Sequence, residues 1–247
     1  MNELRREFHH ELDDVRSELV HLAAFVSGSI SQATDVLLAG DLDLANTVIE
    51  GDDEIDARSI DLEDRCVRML ALQSPVAGDL RQIVAALKMV GEIERSADLV
   101  CNICKAARRM YGHQLDTTLR GIITRMGEQA QSLFIAAIES YVENDAAKAA
   151  AIDDMDSYLD ALHKQFIQAI FESHAAGNID LQVAVQLALV GRFYERIGDH
   201  AVNIGERVQF VVTGWSAGHS SAQRHRGRIA ATGEIPRVTI PPVAEHQ

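Results

Sequence analysis

Glu195-Arg196-Ile197-Gly198-Asp199-His200-Ala201-Val202-Asn203-Ile204-Gly205-Glu206 is the stretch that decides how the chain is read. It sits inside an apolar pattern of helical period. At about 100° per residue, Glu195, Asp199, Asn203 and Glu206 share an arc of about 80°. The arc borders a line of small residues: Ala184, Ala188, Gly191, Gly198, Val202 and Gly205. Carboxylates beside a close-packing line are costly unless something neutralises them. A near copy, Glu94-Arg95-Ser96-Ala97-Asp98-Leu99-Val100-Cys101-Asn102-Ile103, stands 101 positions earlier. Two such stretches in register ask for one explanation.

Working outward, a second echo appears. Asp53-Glu54-Ile55-Asp56 recurs 100 positions later as Asp153-Asp154-Met155-Asp156, and one inserted residue in an inter-helix turn reconciles the two offsets. The chain is therefore an internal repeat. In the first half the spacing predicts helices over 4–38, 42–72 and 75–110, with Gly40-Asp41 as a stop and a cap. Ser74-Pro75 reads as N-cap and first residue of the third helix. In the second half, helices follow from Asp116 to the break at Glu143-Asn144-Asp145, from there to about 176, and over 179–212, ended by Gly214. Short connections make neighbours antiparallel. The expectation is an all-α fold of two three-helix repeats, 1–112 and 113–213, packed as one elongated six-helix bundle. Residues 214–247 are rich in Ser, Gly, Pro, His and Arg, without helical period, and read as a disordered, solubilising tail.

Composition narrows the function. Of the four prolines among 247 residues, only Pro75 precedes the last dozen positions. A formal net charge of −14 argues against general nucleic-acid binding, which needs clustered Lys and Arg, and suits cations or a basic protein partner. No signal-like start and no run of about 18 apolar residues is present, so no membrane insertion is expected. Three cysteines suggest a reducing compartment, with cytoplasm as the default.

The hairpins bring the acids together. On the second helix Asp52 and Asp56 fall inside the apolar face, beside Asp53; on the fifth, Asp156 does, with Asp153 and Asp160 at its edge. Counting residues from each turn puts Asp52, Asp53 and Asp56 opposite Glu94 and Asp98, followed by Asn102. It puts Asp153 and Asp156 opposite Glu195 and Asp199, followed by Asn203 and Glu206. Two unit charges at about 4 Å repel by roughly 4 kcal/mol at an effective dielectric of about 20. Several such pairs rival the ~5–15 kcal/mol that holds a domain together. Protonation, basic partners or bound cations must relieve them. Arg95 and Arg196 point about 100° away from their glutamates, so cations are the expected remedy. Oxygen donors suit hard ions and depart from a Cys/His zinc site. The expected cofactors are divalent or trivalent ions held by oxygen (iron, manganese, magnesium or zinc), with more than one ion per site plausible. The blander alternative is an acid-rich solvent face.

Other motifs carry less. Cys101-x-x-Cys104 lies mid-helix without a second pair and reads as two buried thiols. Glu7-x-x-His10 lacks a second copy, and His200 is expected at the surface. Asp79 and Arg81 read as a helix cap and a surface ion pair. No phosphate loop, nucleophile–base pair or H-E-x-x-H occurs, so no enzyme is expected.

These residues resemble the PhoU family of phosphate-signalling regulators. The carriers are the duplicated Glu94…Asp98 and Glu195…Asp199, the long string from Glu195 to Glu206, and Pro75-Val76-Ala77-Gly78-Asp79-Leu80-Arg81. The resemblance implies a six-helix, two-repeat bundle with a multinuclear metal site in each repeat and no catalytic role. It implies an adaptor, often a homodimer, between a phosphate ABC transporter and a sensor histidine kinase, which keeps the starvation response off when phosphate is plentiful. Ser96-Ala97 departs from the family's Ile-Gly, and Lys105 stands where the second repeat has Glu206. The Glu195 site is therefore expected to bind metal more tightly than the Glu94 site. The alternatives are a di-metal helical-bundle enzyme and a metal-free helical scaffold.

Overall fold

The structure is a computed structural model that describes residues 2–214. The expected tail thus lies, Gly214 apart, outside the described residues. Seven α-helices follow one another, with no strand among the described residues: α1 (Asn2–Ala39), α2 (Leu42–Glu50), α3 (Asp52–Gln73), α4 (Ala77–Arg109), α5 (Thr117–Glu143), α6 (Ala146–Ala175) and α7 (Leu181–Thr213).

One expected helix is two. The apolar period runs unbroken through 42–72, yet the chain is interrupted at Gly51, which caps α2 by donating to the Ile49 and Thr47 carbonyls. Its backbone stays right-handed, so the interruption is local. Asp52, Asp53 and Glu54 then fill the first turn of α3, where the helix dipole favours negative charge. With α2 and α3 counted as one broken arm, the six-helix, two-repeat architecture holds. A second expectation fails at Ser74-Pro75. Ser74 closes α3 with φ 45°, and α4 starts two residues past the proline, at Ala77. A residue before proline is kept out of the right-handed helical region, so Ser74 ends one helix rather than starting the next.

Asp41, Asp116, Asp145 and Asp180 cap α2, α5, α6 and α7 with side-chain oxygens that accept from backbone N–H groups one to two residues into each helix. The Asp116 carboxylate also accepts from Ser173 Oγ at 2.6 Å, tying the start of α5 to the end of α6.

The repeats share one core. Helix α1 packs on α4 within its own repeat and on α5 of the other, and α4 packs on α7. Leu19, Leu22, Val26 and Ile30 of α1 are completely buried. By length and mean hydropathy (1.3 over its best window) the segment 5–39 is apolar enough to cross a membrane, but 56 % of that window is buried inside the bundle. That is the signature of a core helix. Thr34 Oγ1 meets the Tyr194 hydroxyl at 2.7 Å in the buried contact of α1 with α7, and Gly127 of α5 leaves room for Thr34, which a Cβ there would strike.

The joint between repeats is close to two-fold symmetric. Arg16 of α1 donates to the Val142 carbonyl at the end of α5 at 2.6 Å, and Arg120 of α5 donates to the Leu38 carbonyl at the end of α1 at 2.7 Å. Each arginine satisfies a carbonyl left over at the other helix's C-terminus, where positive charge is favoured. Helices α4 and α7 run antiparallel, with Arg109 beside Gln186 at one end and Arg81 beside Gly214 at the other. That register sets Ala97 opposite its repeat counterpart Gly198. Both acidic hairpins consequently lie at the same level of the bundle, on either side of the α4–α7 contact.

Candidate functional site

In the first repeat, α3 and α4 form the hairpin. Asp52 opens α3 half-buried, and its Oδ1 is buried without a hydrogen-bond partner. Burial raises its pKa first; Asp56 and Asp98 add to the rise, while the Cys101 thiol and Lys105 oppose it. Glu94 is raised by burial and then by Asp98, Asp56 and Asp52, against the pull of Arg95. Asp52, Asp56, Glu94 and Asp98 therefore share one field. A cleft of about 310 Å³ lined by Asp56, Ser59, Ile60, Glu63 and Glu94 opens beside them. Asp53 is exposed.

In the second repeat, α6 and α7 form the hairpin. The Asp156 carboxyl is pushed up to about 6, by burial first and then by Asp160, Asp199, Glu195 and Asp153. Its Oδ1 is buried without a hydrogen-bond partner. Glu195 is raised by burial and by Asp199, and Arg192 opposes the rise by forming an ion pair with it. Asp160 acts on both Asp156 and Glu195, so it belongs to the group. Sequence reasoning left it at the edge; its spacing of four from Asp156, which sets two side chains on one face, was the signal that includes it. Arg192, three residues before Glu195, is the basic neighbour that the sequence reading passed over.

The two hairpins differ for a visible reason. A Cβ at Gly198 would collide with Asp156 Oδ1, so the carboxylate lies directly against the bare backbone of α7. The counterpart of Gly198 in the first repeat is Ala97, and the counterpart of Asp156, Asp56, is exposed. In the first repeat the carboxylate closest in is Asp52, one turn earlier.

Two expectations are corrected where α4 crosses α7. His200 is buried, 6 % exposed, and not at the surface. Its Nδ1 stands 2.6 Å from Oε2 of Glu92, itself 8 % exposed. Asn203, expected among the acids, donates instead to the same Glu92 oxygen at 3.2 Å, and Arg95 donates to the other at 2.9 Å. These hydrogen bonds hold the Glu92 pKa below its usual value against the opposing effect of burial. Hairpin geometry alone did not place α4 on that side of α7. Asn102 and Glu206 lie one and two turns past Asp98 and Asp199, each partly buried.

Among the described residues no group of three or more His, Cys, Asp or Glu side chains is arranged to hold a metal ion. Asp53, Asp56, Asp98, Asp153 and Asp199 are all exposed, so the acids are gathered but not closed into a cage. The Cys101-x-x-Cys104 thiols are buried, and both pKa values are raised by that burial, Cys104 to about 12. Neither is a reactive thiolate.

The PhoU domain description matches the chain twice, over 19–107 and 123–208. The chain belongs to the PhoU family. The doubled match coincides with the two halves of the two-fold joint. A PhoU relative in Mycobacterium leprae, named phosphate-specific transport system accessory protein PhoU homolog 1, is 36 % identical over 212 residues, 85 % of this chain and 95 % of its own. A homolog 2 of Mycobacterium tuberculosis is 35 % identical over 212 residues, covering 85 % and 99 %. The crystal structure of PhoU from Pseudomonas aeruginosa superposes with a TM-score of 0.80 at 29 % identity, covering 84 % of this chain and 100 % of that one. PhoU of Streptococcus pneumoniae, a phosphate transport system regulatory protein, shares the fold with a TM-score of 0.78 at 24 % identity, over 85 % and 99 % of the two chains.

Proposed function

We propose that this protein regulates phosphate uptake and phosphate-starvation signalling as a cytoplasmic adaptor without catalytic activity. It contacts the ATPase of a phosphate ABC transporter and a sensor histidine kinase, and holds the starvation response off when phosphate is plentiful. Family membership supports this reading, together with relatives named as accessory and regulatory proteins of phosphate transport. The protein acts as a homodimer.

The acidic hairpins are cation sites, and Asp156 carries that part of the reading. A carboxylate oxygen without a hydrogen-bond partner is pressed on Gly198 and faces four further acids. Their donor chemistry fits a hard cation. Asp156, Asp160, Glu195 and Asp199 would hold it in the second repeat, and Asp52, Asp56, Glu94 and Asp98 in the first. The ion supplies the positive charge that lets these groups stay ionised together. The chain's part is to turn the exposed carboxylates inward and to release Glu195 from Arg192, which competes with a cation for that oxygen. Arg192 therefore works against the tighter binding expected of the second site.

A metal-free scaffold is the second reading, and the Arg192–Glu195 pair favours it, since a basic side chain already answers one of the acids. Elemental analysis of protein purified without chelator separates the two. Bound iron, manganese, magnesium or zinc, lost in Glu195→Ala/Asp199→Ala, is the expected result; metal-free protein with an unchanged melting temperature in that variant rejects the cation part. The adaptor part is tested by co-precipitation with the kinase and the transporter ATPase, with and without phosphate. Failure to bind either rejects it.

A further inference from the structure

Helices α4 and α7 meet as a ladder of fixed register. Arg81 lies against Gly214, Asn203 donates to Glu92, and Arg109 donates to Gln186. A step of eleven residues forward along α4, from Arg81 to Glu92, matches a step of eleven back along α7, from Gly214 to Asn203. The same register sets Lys88, two turns past Arg81, opposite Arg207, two turns before Gly214. Two cations thus face one another across one rung of the joint between the repeats. The mirrored rung, occupied by their repeat counterparts, is Leu189 with Ala106. The shared repeat plan does not demand charge there.

No acid answers this pair. Glu92, one turn along from Lys88, is already engaged by His200, Asn203 and Arg95. No other acid stands three or four residues from Lys88 or Arg207 on their own helices. Glu206 points about 100° round α7 from Arg207, on the side of the second acidic hairpin. Lys88 and Arg207 make no hydrogen bond or ion pair with another described residue, and Arg207 Nε is buried. Arg81 repeats the pattern at the end of the ladder, with a buried Nε and no partner. Asp79, its expected ion-pair partner, stands 3.6 Å from His9 Nε2 instead.

A guanidinium N–H withheld from water needs an acceptor. Unpaired cations are conspicuous in a chain of net charge −14. An ammonium facing a guanidinium suits a ligand with several oxygens and more than one negative charge, which is a tetrahedral oxyanion.

We propose that Lys88 and Arg207, with Arg81 two turns away, form a binding site for a phosphate-type oxyanion in the seam between the repeats. Nζ of Lys88 and Nε of Arg207 donate to its oxygens. The anion bridges α4 of one repeat to α7 of the other, one turn from the Glu92–His200 contact. Phosphate would then act on the joint directly, without passing through the acidic hairpins. That regulatory meaning rests on the adaptor reading; the site rests on the rung.

Inorganic phosphate titrated by calorimetry into the full chain, stripped of metal and held in oxyanion-free buffer at fixed ionic strength, tests the site. Saturable binding is expected, with acetate at matched ionic strength giving none. At a hundred times the dissociation constant, phosphate should raise the melting temperature by about 5–10 °C. Lys88→Leu with Arg207→Ala copies the mirrored rung. It should fold, melt at or above the parent without phosphate, and lose the gain. Lys88→Gln and Arg207→Gln should each weaken binding by about tenfold or more, and they decide the matter if the double variant does not fold. Absence of saturable binding, an equal response to acetate, or binding that survives these substitutions overturns the proposal. Co-precipitation with the kinase and the ATPase separates the two readings. Partners retained by a chain that does not bind phosphate leave the adaptor and remove this site; phosphate bound by a chain that retains neither partner does the reverse.

Discussion

Asp156→Asn should stabilise the protein once metal is removed, and do so only above mildly acidic pH. The Asp156 carboxyl is raised from 3.8 to about 6, first by burial and then by the four acids around it. A shift of about 2 units corresponds to roughly 3 kcal/mol between the protonated and ionised forms. The side chain is only partly buried, and solvent screening reduces the usable part to about 1 kcal/mol. The folded state holds this proton more tightly than the unfolded chain does. The stability linked to it is therefore complete below pH 3.8 and is lost as pH rises through about 6. Asparagine keeps the shape and cannot ionise. At pH 4 the variant and the parent should melt together; at pH 7 the variant should be about 1 kcal/mol more stable, about 2–4 °C for a protein of this size. The assay is thermal denaturation in chelator from pH 4 to 8. A variant that melts at or below the parent at pH 7, or a difference that does not grow between pH 4 and 7, refutes the repulsion argument. Adding manganese should reverse the order: the parent gains about 2.7 kcal/mol at a hundred times its dissociation constant, and the variant gains less.

Other perturbations read other parts of the molecule. Gly205→Ala sets a Cβ 2.9 Å from the Ala149 carbonyl oxygen, backbone that cannot rotate away, and should cost about 1–3 kcal/mol in urea unfolding. His200→Leu leaves the buried Glu92 carboxylate without its closest partner and should cost about 2–4 kcal/mol at pH 7. The folded pKa of Glu92 lies below 4.5, so its contribution is present above that pH and fades as pH falls through the folded value. The penalty of His200→Leu should accordingly shrink in acid, measured by melts at pH 3 and 7. Thr34→Val orphans the buried Tyr194 hydroxyl, with an expected loss of about 1–2 kcal/mol by chemical denaturation.

What the sequence made legible was whatever depends on one helix or one hairpin. The 3.6-residue period located every long helix, and the duplicated acids fixed the repeat and its family. Gly51 was missed because a local break in hydrogen bonding leaves the apolar period untouched. The carboxylate groups were legible because α3 with α4, and α6 with α7, meet across short turns, where counting residues measures height. His200 and Asn203 were misread because their partner, Glu92, belongs to the other repeat, over a hundred residues away. Nothing in the spacing of α7 tells which of its sides α4 will cover. Arg192 was overlooked although its signal was there: residues three apart are neighbours on a helix surface, and only the arginines directly following the glutamates, Arg95 and Arg196, were weighed as partners.

The reciprocal Arg16–Val142 and Arg120–Leu38 bonds bear on ancestry. A single repeat of this shape carries both halves of that exchange and would pair with its own twin through the same surfaces. In such a pair every substitution appears twice, on both sides of the axis at once. Glu92 breaks that constraint, because its counterpart at this joint is Phe193 and the counterpart of His200 is Leu99. A lone buried carboxylate with a single imidazole needs the two sides of the joint to differ in sequence, which a chain that holds both repeats allows and a pair of identical repeats does not. Covalent linkage here is what allows one flank of the joint to become polar while the other stays greasy, and the two acid groups to drift apart in composition.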